Sequence, residues 1–449
     1  MAGILAYIVS SDGKKMLYFT GGSYGIVATG GKPNAGDGAL NTGGIKVYVD
    51  PEKEWTQMFN EAWRIERDFL YVKNANGANL EALKKKYAVF LPYLAHRSDL
   101  NYLFRNMLGE LVLGHVFTGG GDFPKTKNVS VGLLGADYEI MNDHYRFKKI
   151  YSGQNWNPDL TAPLTQPGID VKQGQYLLAV NGIPLDAKTN VYSLFQNAAG
   201  RQTKITVNDS ASMQNAKDFI VIPVTDEAGL RRMDWVESNR KKVDSLSGGR
   251  IAYVYLPNTA DGGYDYFNRY FFSQLNKDAV IADDRTNMGG YAADYIVDLL
   301  GRKTVMYSNQ RDNKPFSIPN AVINGPKVML INSHALSGGD LMPYMFRAKE
   351  VGKLVGTTTF GILVGNAGGH GLMDGAYITA PNIGIFGVEE KWIIEQEGVA
   401  PDVAVENYPK DLLNGRDAQL EKAIELILKD LKPHKEVNQP ADPIRVADY

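Results

Sequence analysis

The spacing of hydrophobic positions changes along the chain and divides it into segments of different predicted structure. At the N-terminus two apolar runs, Ile4–Ser10 and Met16–Phe19, flank the turn at Ser11–Lys15 and predict a pair of short strands. A second turn leads into Ile26-Val27. The glycine- and asparagine-rich stretch Gly30–Gly44 that follows predicts a loop or linker.

A strand, turn and strand of this length resemble one blade of a β-propeller. A single blade cannot bury both of its faces, so it needs neighbouring blades. The alternative is an N-terminal hairpin that packs on the main body. We favour the remnant of a propeller blade with its linker over residues 1–49, and we therefore expect the chain to be a C-terminal fragment of a longer protein.

Residues 50–126 show the helical period instead. Asp50 is followed by a proline, which is a typical helix start with an N-capping carboxylate. Apolar residues then recur at helical spacing from Trp55 to Phe69. Leu80–Tyr87 and Asp99–Leu113 predict two further helices, so this segment is expected to form a helical subdomain.

Residues 127–223 change to short strands and turns. Strands are predicted at Val129–Leu134 and Thr203–Val207, with a short helix at Val191–Asn197. Gly174–Gly182 has the pattern Gly-x-x-Leu-x-x-Val-Asn-Gly, and together with the helix it resembles a PDZ domain. Such domains bind extended peptides by strand addition to a sheet edge. The alternative is a small β domain without a ligand.

Over residues 224–432 strands alternate with helices. The predicted strands are Ile251–Leu256, Ala279–Asp283 and Val328–Asn332. The predicted helices are Tyr264–Leu275, Gly290–Leu300 and Gly338–Lys349. This alternation indicates an α/β domain with a mixed, at least partly parallel sheet. The fold class is therefore α/β multidomain, and the tail over 433–449 is expected to wrap the surface or fray.

Composition adds exclusions. The chain has 449 residues and no cysteine, which excludes cysteine nucleophiles, thiolate zinc sites, iron–sulfur clusters and redox chemistry. Its net charge of −2 gives no bulk field that would attract nucleic acid or anionic lipid. No run of about 18 apolar residues is present, so we predict no membrane-spanning helix. The compartment stays open between cytoplasm and periplasm.

Ser337 is the first candidate for chemistry. Without cysteine a hydrolytic nucleophile has to be Ser or Thr, and histidine is the usual activator. Ser337 stands where a predicted strand turns into a predicted helix, whose N-terminus offers oriented N–H donors to an oxyanion. Ala335 occupies the first glycine position of G-x-S-x-G, so this turn is not the α/β-hydrolase elbow. The alternative is an N-capping serine.

A second strand-to-helix turn, Asp283–Gly290, ends in the pair Gly289-Gly290. Glycines let the backbone approach a ligand closely and aim N–H groups at it. The functional interpretation is an oxyanion hole, and the alternative is a tight turn. A phosphate-binding loop is not expected, because the lysine and the spacing of that motif are missing.

Three histidines compete as a general base. His115 lies at a predicted helix end, His334 precedes Ser337 by three residues, and His370 lies between two glycines. The other three are expected to be exposed: His96, His144 and His434. No pair has the spacing of a zinc site, so we predict no catalytic metal and no other cofactor.

Several segments together resemble the tricorn proteases and their bacterial homologues. The segments similar to the helical core of that family are Glu52–Arg64, Ser98–Leu103 and Gly109–His115. The segments similar to its catalytic domain are Asp284–Gly290, Leu336–Asp340 and Glu395–Asp402. The PDZ-like unit lies between the two groups, in the order of that family. The resemblance covers about residues 50–432 and implies a serine peptidase related to C-terminal-processing proteases.

The resemblance implies a role for each matching residue. Ser337 matches the nucleophile, His115 the general base, and Glu395 the acid that ends the hydrogen-bond relay of the family. The glycines that match its oxyanion hole are Gly290, or alternatively Gly289, and Gly338, which follows the nucleophile. Such a set accounts for proton removal, oxyanion stabilisation and orientation of the imidazole.

The sequence departs from the family archetype at two positions. Gly114 stands where the archetype has a serine that links the histidine to the glutamate, so a water or another hydroxyl has to bridge Glu395 and His115. Ser308 stands where the archetype carries an acidic, substrate-binding residue that selects basic side chains. This change favours a neutral or apolar side-chain preference.

We therefore predict a truncated tricorn-like serine endopeptidase that acts on peptides or unfolded proteins through an acyl-enzyme. One alternative is a carboxylesterase built on the same catalytic core. The other is a catalytically silent protein whose PDZ-like unit binds peptides. The family forms closed assemblies, so the resemblance also implies a homo-oligomer.

Overall fold

The computed structural model of the chain describes residues 3–32, 34, 36–311, 313–433 and 437–440. Its first element is an antiparallel sheet of β1 (Ala6–Val9), β2 (Lys15–Phe19) and β3 (Tyr24–Ala28), paired in that order. The two predicted strands are confirmed, and β3 extends the short run predicted at Ile26-Val27. Met16 and Tyr18 are buried, whereas β1 is exposed along its whole length.

The helical segment contains α1 (Pro51–Phe69), α2 (Leu80–Ala88) and α3 (Arg97–Gly109). The carboxylate of Asp50 accepts a hydrogen bond from the backbone N–H of Lys53 and caps α1, as the sequence predicts. Apolar residues of all three helices form one core, in which Met58, Phe59 and Phe104 are almost fully buried. The core orients α3, whose end leads towards His115.

Helix α3 differs from its predicted bounds at both ends. It begins at Arg97 because His96 caps it, and the carboxylate of Asp99 accepts a hydrogen bond from the backbone N–H of His96. It ends at Gly109 instead of Leu113. The following residues leave the helical path with left-handed backbone at Val112 and His115, and the chain reaches the short strand β4 (Thr118–Gly119).

A buried carboxyl lies inside this helical core. Glu66 of α1 is 1% exposed, and neither of its carboxylate oxygens has a hydrogen-bond partner among the described residues. The small cavity beside it is lined by apolar side chains such as Trp63, Leu83 and Leu108. Burial raises the pKa of Glu66 from 4.5 to about 8. The folded protein therefore holds this carboxyl in its neutral form at neutral pH.

We expect Glu66→Gln to stabilise the protein increasingly as pH rises. Ionisation in the unfolded chain begins near pH 4.5 and in the folded protein near pH 8, so wild-type stability falls between these values. The free energy of unfolding of Glu66→Gln, relative to that of the wild type, should rise by about 3 kcal/mol between pH 4.5 and pH 7. Urea unfolding at several pH values measures it, with Glu52→Gln in the exposed first turn of α1 as control. A gain that stays constant with pH would contradict the assignment.

The central segment forms an antiparallel sheet. Its strands are β5 (Ala136–Met141), β6 (His144–Ile150), β7 (Tyr176–Val180), β8 (Ile183–Pro184), β9 (Thr203–Asn208) and β10 (Lys217–Val221). The order is β10-β9-β7-β6-β5, with β8 paired to β7. The short helix is a 3₁₀ turn at Val191–Phe195. The strand predicted at Val129–Leu134 is wrong, because Val131 and Leu133 form only isolated bridges.

The remaining segment is an α/β unit. Its strands are β11 (Ile251–Tyr255), β12 (Ala279–Asp283), β13 (Met306–Ser308), β14 (Phe316–Ile318), β15 (Lys327–Ile331), β16 (Lys353–Gly356), β17 (His370–Gly371), β18 (Tyr377–Ile378) and β19 (Val403–Ala404). Its helices are α4 (Ala228–Leu246), α5 (Asp261–Phe272), α6 (Ala293–Leu300), α7 (Gly338–Ala348), α8 (Pro409–Leu413) and α9 (Ala418–Asp430). The three predicted strands and three predicted helices are confirmed: β12 has the predicted bounds, and the ends of the others are shifted by at most three residues.

Two kinds of strand pairing occur in this unit. The main sheet has the order β11-β12-β15-β16-β19, and its four pairings are parallel. The antiparallel pairs lie outside it, in the hairpin β13–β14 and in the small sheet β17-β18-β4. That small sheet joins the segment after α3 to the α/β unit.

The parallel sheet explains how distant segments meet. All residues of β11, β12 and β15 are buried, because helices pack on the sheet. The carboxyl ends of parallel strands lie on the same side of a sheet, and the loops that follow these ends are the usual place for a site. The turns that carry Gly289-Gly290 and Ser337 follow the carboxyl ends of β12 and β15.

None of the helices among the described residues is long and apolar enough to cross a membrane. Of the predicted tail over 433–449, residues 434–436 and 441–449 lie outside the described residues, and His434 is one of them.

Candidate active site

Ser337 ends the turn after β15 and precedes the first residue of α7. Its backbone is left-handed, with φ of 57°, a conformation that costs a non-glycine residue free energy and that clusters at functional sites. The N–H of Ser337 donates both to the carbonyl of Ile362, at 2.9 Å, and to the carboxylate of Asp340, at 2.8 Å. These two hydrogen bonds hold the strained turn.

Asp340 fixes this turn to a neighbouring loop. Its fully buried carboxylate also accepts hydrogen bonds from the backbone N–H groups of Gly361, at 2.8 Å, and Ile362, at 3.1 Å. Burial nevertheless raises the pKa of Asp340, against these hydrogen bonds. The sequence held a signal for this residue, because an acidic side chain three positions after a candidate N-cap is typical of a capping box.

The two glycines of the other turn have different surroundings. The N–H of Gly289 donates to Oδ1 of Asn287 at 2.8 Å. Among the described residues the N–H groups of Gly290 and Gly338 form no hydrogen bond. A Cβ placed on Gly338 would lie 2.7 Å from the nitrogen of Gly290, so the two backbones are in direct contact. Gly289 is therefore not a free donor, whereas Gly290 and Gly338 are.

This glycine turn lies directly against Ser337. A Cβ on Gly289 would lie 2.6 Å from Cβ and 3.0 Å from Oγ of Ser337. Asn287 joins the two turns, because its carbonyl accepts a hydrogen bond from the N–H of Leu336 at 2.9 Å while its amide donates to buried Asp284 at 2.7 Å. No local sequence signal marks Asn287 as the link, since Leu336 lies in another turn.

His115 is half-buried and has left-handed backbone, with φ of 58°. Its carbonyl accepts hydrogen bonds from Nδ2 of Asn366, at 2.6 Å, and from Oγ1 of Thr379, at 2.7 Å. Nδ1 of the ring is buried without a partner among the described residues. Burial lowers the pKa of His115 below its ordinary 6.5, and the negative charge of Glu395 opposes this shift. The imidazole is therefore neutral at neutral pH.

Glu395 reaches His115 through the main chain. One carboxylate oxygen accepts a hydrogen bond from the backbone N–H of Gly114 at 2.7 Å. The other accepts from the N–H groups of Leu363, at 2.6 Å, and Val364, at 2.9 Å. The link between Glu395 and the histidine is thus the backbone of Gly114, where the sequence led us to expect a water or a hydroxyl.

Ile362 explains the glycine at position 114. A Cβ on Gly114 would lie 2.5 Å from Cβ and 3.2 Å from Cα of Ile362, so no side chain fits there without a backbone shift. The carbonyl of the same Ile362 accepts the N–H of Ser337. Ile362 therefore packs between the backbones that carry Ser337 and His115. No local sequence signal marks this loop, because its role depends on contacts between residues far apart in the chain.

The other candidate bases lie elsewhere. His334 is exposed, and its backbone N–H donates to Asn332. His370 lies in β17 with its ring 4.1 Å from the ring of Phe69. His96 is exposed, as predicted, whereas His144 is half-buried in β6. Ile362 connects the backbone beside His115 to the Ser337 turn, whereas His334 belongs to that turn but has an exposed side chain.

Ser308 is not brought to this site. It ends β13 and pairs with Phe316 of the β13–β14 hairpin. Neighbouring hairpin residues line a cavity of about 730 Å³ together with Asp278 and Pro326, which immediately precede β12 and β15. Ser337 follows the opposite, carboxyl end of β15. Within this chain Ser308 therefore lies on the side of the sheet where β12 and β15 begin, opposite the side where Ser337 lies.

No group of three or more His, Asp or Glu side chains within the described ranges is placed to hold a metal ion.

Family models for three domains match successive parts of the chain: the tricorn protease C1 domain over residues 51–109, the tricorn protease PDZ domain over 132–226, and peptidase family S41 over 250–405. The tricorn protease homolog of Saccharolobus solfataricus is 32% identical over 437 residues, which are 95% of this chain and 40% of that protein. The chain belongs to the tricorn protease family. Tricorn protease homolog 1 of Streptomyces coelicolor is 31% identical, over 97% of this chain and 41% of that protein.

The structural comparison agrees with the family assignment. A crystal structure of the tricorn protease superimposes with a TM-score of 0.84 at 26% identity, and the match covers 95% of this chain and 41% of that one. The chain thus spans about two fifths of the length of these relatives. It has a tricorn-like fold with PDZ and S41 peptidase domains.

Proposed function

We propose that this chain is a serine endopeptidase that hydrolyses peptides through an acyl-enzyme on Ser337, with His115 as general base. One observation carries the proposal: Ser337 sits in a strained turn, Gly338 follows it in contact with Gly290, and the N–H groups of these two glycines have no acceptor among the described residues. Paired free N–H groups beside a serine suit the oxyanion of a tetrahedral intermediate. Membership of the tricorn protease family supports the same reaction.

The proposed reaction has an acylation and a deacylation stage, with two proton transfers in each. His115 Nε2 takes the proton of Ser337 Oγ while Oγ bonds to the scissile carbonyl carbon, and the carbonyl oxygen becomes an oxyanion held by Gly290 and Gly338. The imidazolium then gives its proton to the leaving amine as the peptide bond breaks. Water, activated by the same imidazole, hydrolyses the acyl ester. The lowered pKa of His115 keeps the base neutral at neutral pH.

Glu395 acts in this proposal by holding two loops. Its hydrogen bonds fix the backbone of Gly114, next to the base, and of Leu363 and Val364, next to the Ser337 turn. Its negative charge also favours the imidazolium that forms during the reaction. Gly289 has a supporting role, because its N–H is engaged by Asn287.

We propose peptides or unfolded proteins as substrates, with the PDZ domain as an additional peptide-binding module. The neutral or apolar side-chain preference argued from Ser308 stays a prediction, as does a homo-oligomer. The sheet of β1, β2 and β3 is proposed to be part of a propeller blade within residues 1–49. The exposed apolar side chains of Leu5, Tyr7 and Ile8 support this, because a blade buries such residues against its neighbours.

Labelling with a fluorophosphonate probe tests the function, since the probe reacts with activated serines. We expect stoichiometric labelling that peptide mapping locates at Ser337, and none after heat denaturation. Native protein that hydrolyses neither peptides nor esters and takes up no probe, yet binds peptides, would favour the silent peptide-binding alternative. A much higher kcat/KM for esters than for any peptide would favour the carboxylesterase.

A further inference from the structure

A general base of this kind needs a partner that fixes its ring. In serine hydrolases an acceptor at Nδ1 holds the imidazole in the tautomer that leaves Nε2 free to take the serine proton. Glu395 does not supply this acceptor: the hydrogen bonds it accepts come from the backbone N–H groups of Gly114, Leu363 and Val364, and Nδ1 has no partner among the described residues. The Nδ1 atom of His115 is nevertheless buried.

Asn366 offers the missing group. Its Nδ2 donates to the carbonyl of His115 at 2.6 Å, which places the side-chain amide next to this residue. Its Oδ1 is buried and has no partner among the described residues. A buried ring nitrogen and a buried amide oxygen, each without a partner among the described residues, thus lie on two residues already joined by a hydrogen bond. Buried polar groups in proteins are almost always satisfied, often through one bound water.

We propose that Asn366 is the positioning residue of the general base: its Oδ1 receives the Nδ1–H hydrogen bond of His115 through one bridging water. This hydrogen bond keeps the proton on Nδ1, so Nε2 carries no proton and can accept the proton of Ser337. The proposal rests on the function proposed above for Ser337 and His115. No local pattern indicates this role, since Asn366 stands in a glycine-rich stretch typical of a loop.

Thr379 provides the matched control for this role. Its Oγ1 donates to the same carbonyl of His115, at 2.7 Å, but this oxygen already accepts a hydrogen bond from the backbone N–H of Phe117, at 2.7 Å. If Asn366 only anchored the main chain of His115, Thr379→Val and Asn366→Ala would have the same effect. The proposed contact acts on the imidazole itself, so the tautomer and the ionisation of His115 should respond to the side chain at position 366 and not to Thr379→Val.

The charges that act on His115 are few. The carboxylate of Glu395 raises its pKa against the effect of burial, and the partly buried Tyr71 lies near that carboxylate. The ring of Phe117 lies 5.7 Å from the imidazole and covers it without charge. A carboxylate introduced at position 366 would therefore be a second negative charge beside the imidazole, and its effect on the pH profile should be visible.

The test is the pH dependence of kcat/KM for wild type, Asn366→Asp, Asn366→Ala and Thr379→Val. Asn366→Asp should move the acid limb up by about one pH unit or more, as a carboxylate beside an imidazole does. Asn366→Ala should lower kcat by about tenfold with little change in KM, the upper end for one hydrogen bond. Thr379→Val should leave the acid limb in place. Equal losses in Asn366→Ala and Thr379→Val, with no shift in Asn366→Asp, would overturn the proposal.

A measurement on the wild-type protein tests the proposal even if a variant fails to fold. In the nitrogen-15 spectrum of the histidine rings at pH 7.5, His115 should be the neutral Nδ1–H tautomer, with a proton shielded from solvent exchange. The Nε2–H tautomer would overturn the proposal. Stoichiometric fluorophosphonate labelling of Asn366→Ala separates failure of this proposal from failure of the proposed function, because labelling reports Ser337 itself.

Discussion

Replacing Ser337 by alanine is expected to lower kcat by about 10⁴- to 10⁶-fold for peptide and nitrophenyl-ester substrates alike. The reason is chemical, because alanine has no oxygen that could bond to the carbonyl carbon or form the acyl-enzyme. The N–H groups of Gly290 and Gly338 stay in place, so substrate binding and a small residual rate should remain. Steady-state rates and single-turnover assays with both substrate classes measure the loss.

Ser333 supplies the control for this substitution. It lies in the same turn after β15 and is exposed, whereas Ser337 is half-buried against the glycines. Ser333→Ala should keep the wild-type rate, and both variants should unfold at the wild-type temperature. Hydrolysis that survives in Ser337→Ala would place the nucleophile elsewhere and remove the basis of the proposed mechanism.

The α/β unit could be predicted from sequence because its signals are local. The continuous apolar runs at Ile251–Leu256, Ala279–Asp283 and Val328–Asn332 are typical of buried parallel strands, and each is followed by a helical period. The carboxyl ends of parallel strands lie on one side of the sheet, so the turns that hold Ser337 and Gly290 could be expected to meet. The strand predicted at Val129–Leu134 failed because its partners, Gln196 and Val224, lie far along the chain and form only single bridges with it.

The hydrogen bonds and packing contacts between the site residues could not be predicted, because they join segments that are far apart in the sequence. Nothing in the sequence tells Gly289 from Gly290, and the difference is one hydrogen bond from Gly289 to Asn287. The glycine at position 114 looked like a broken relay, but Ile362 occupies the space where a side chain would lie, and the backbone N–H of Gly114 binds Glu395 directly. Asn366 contacts His115 across 251 positions of sequence.

Replacing His115 by alanine is expected to lower kcat/KM by about 10³- to 10⁵-fold, because Ser337 then loses the base that removes its proton. The base acts only when neutral. The wild-type kcat/KM should therefore fall as pH falls through the pKa of His115, and burial puts this midpoint below 6.5. In His115→Ala this acid limb should disappear and leave a small rate that rises with hydroxide. Rates between pH 4.5 and pH 9 measure both effects.

His334→Ala decides between the two histidines that the sequence left as close competitors. His334 is only three residues from Ser337, but its side chain is exposed, and the turn that follows it is held by Asp340 and Ile362 instead. Its loss should change kcat/KM by no more than about twofold and should leave the acid limb where it is, as expected for an exposed side chain outside the site. If His334→Ala were the more damaging change, the base would have to come from the serine turn itself, and the role of the loop Gly361–Val364 in presenting His115 would be disproved.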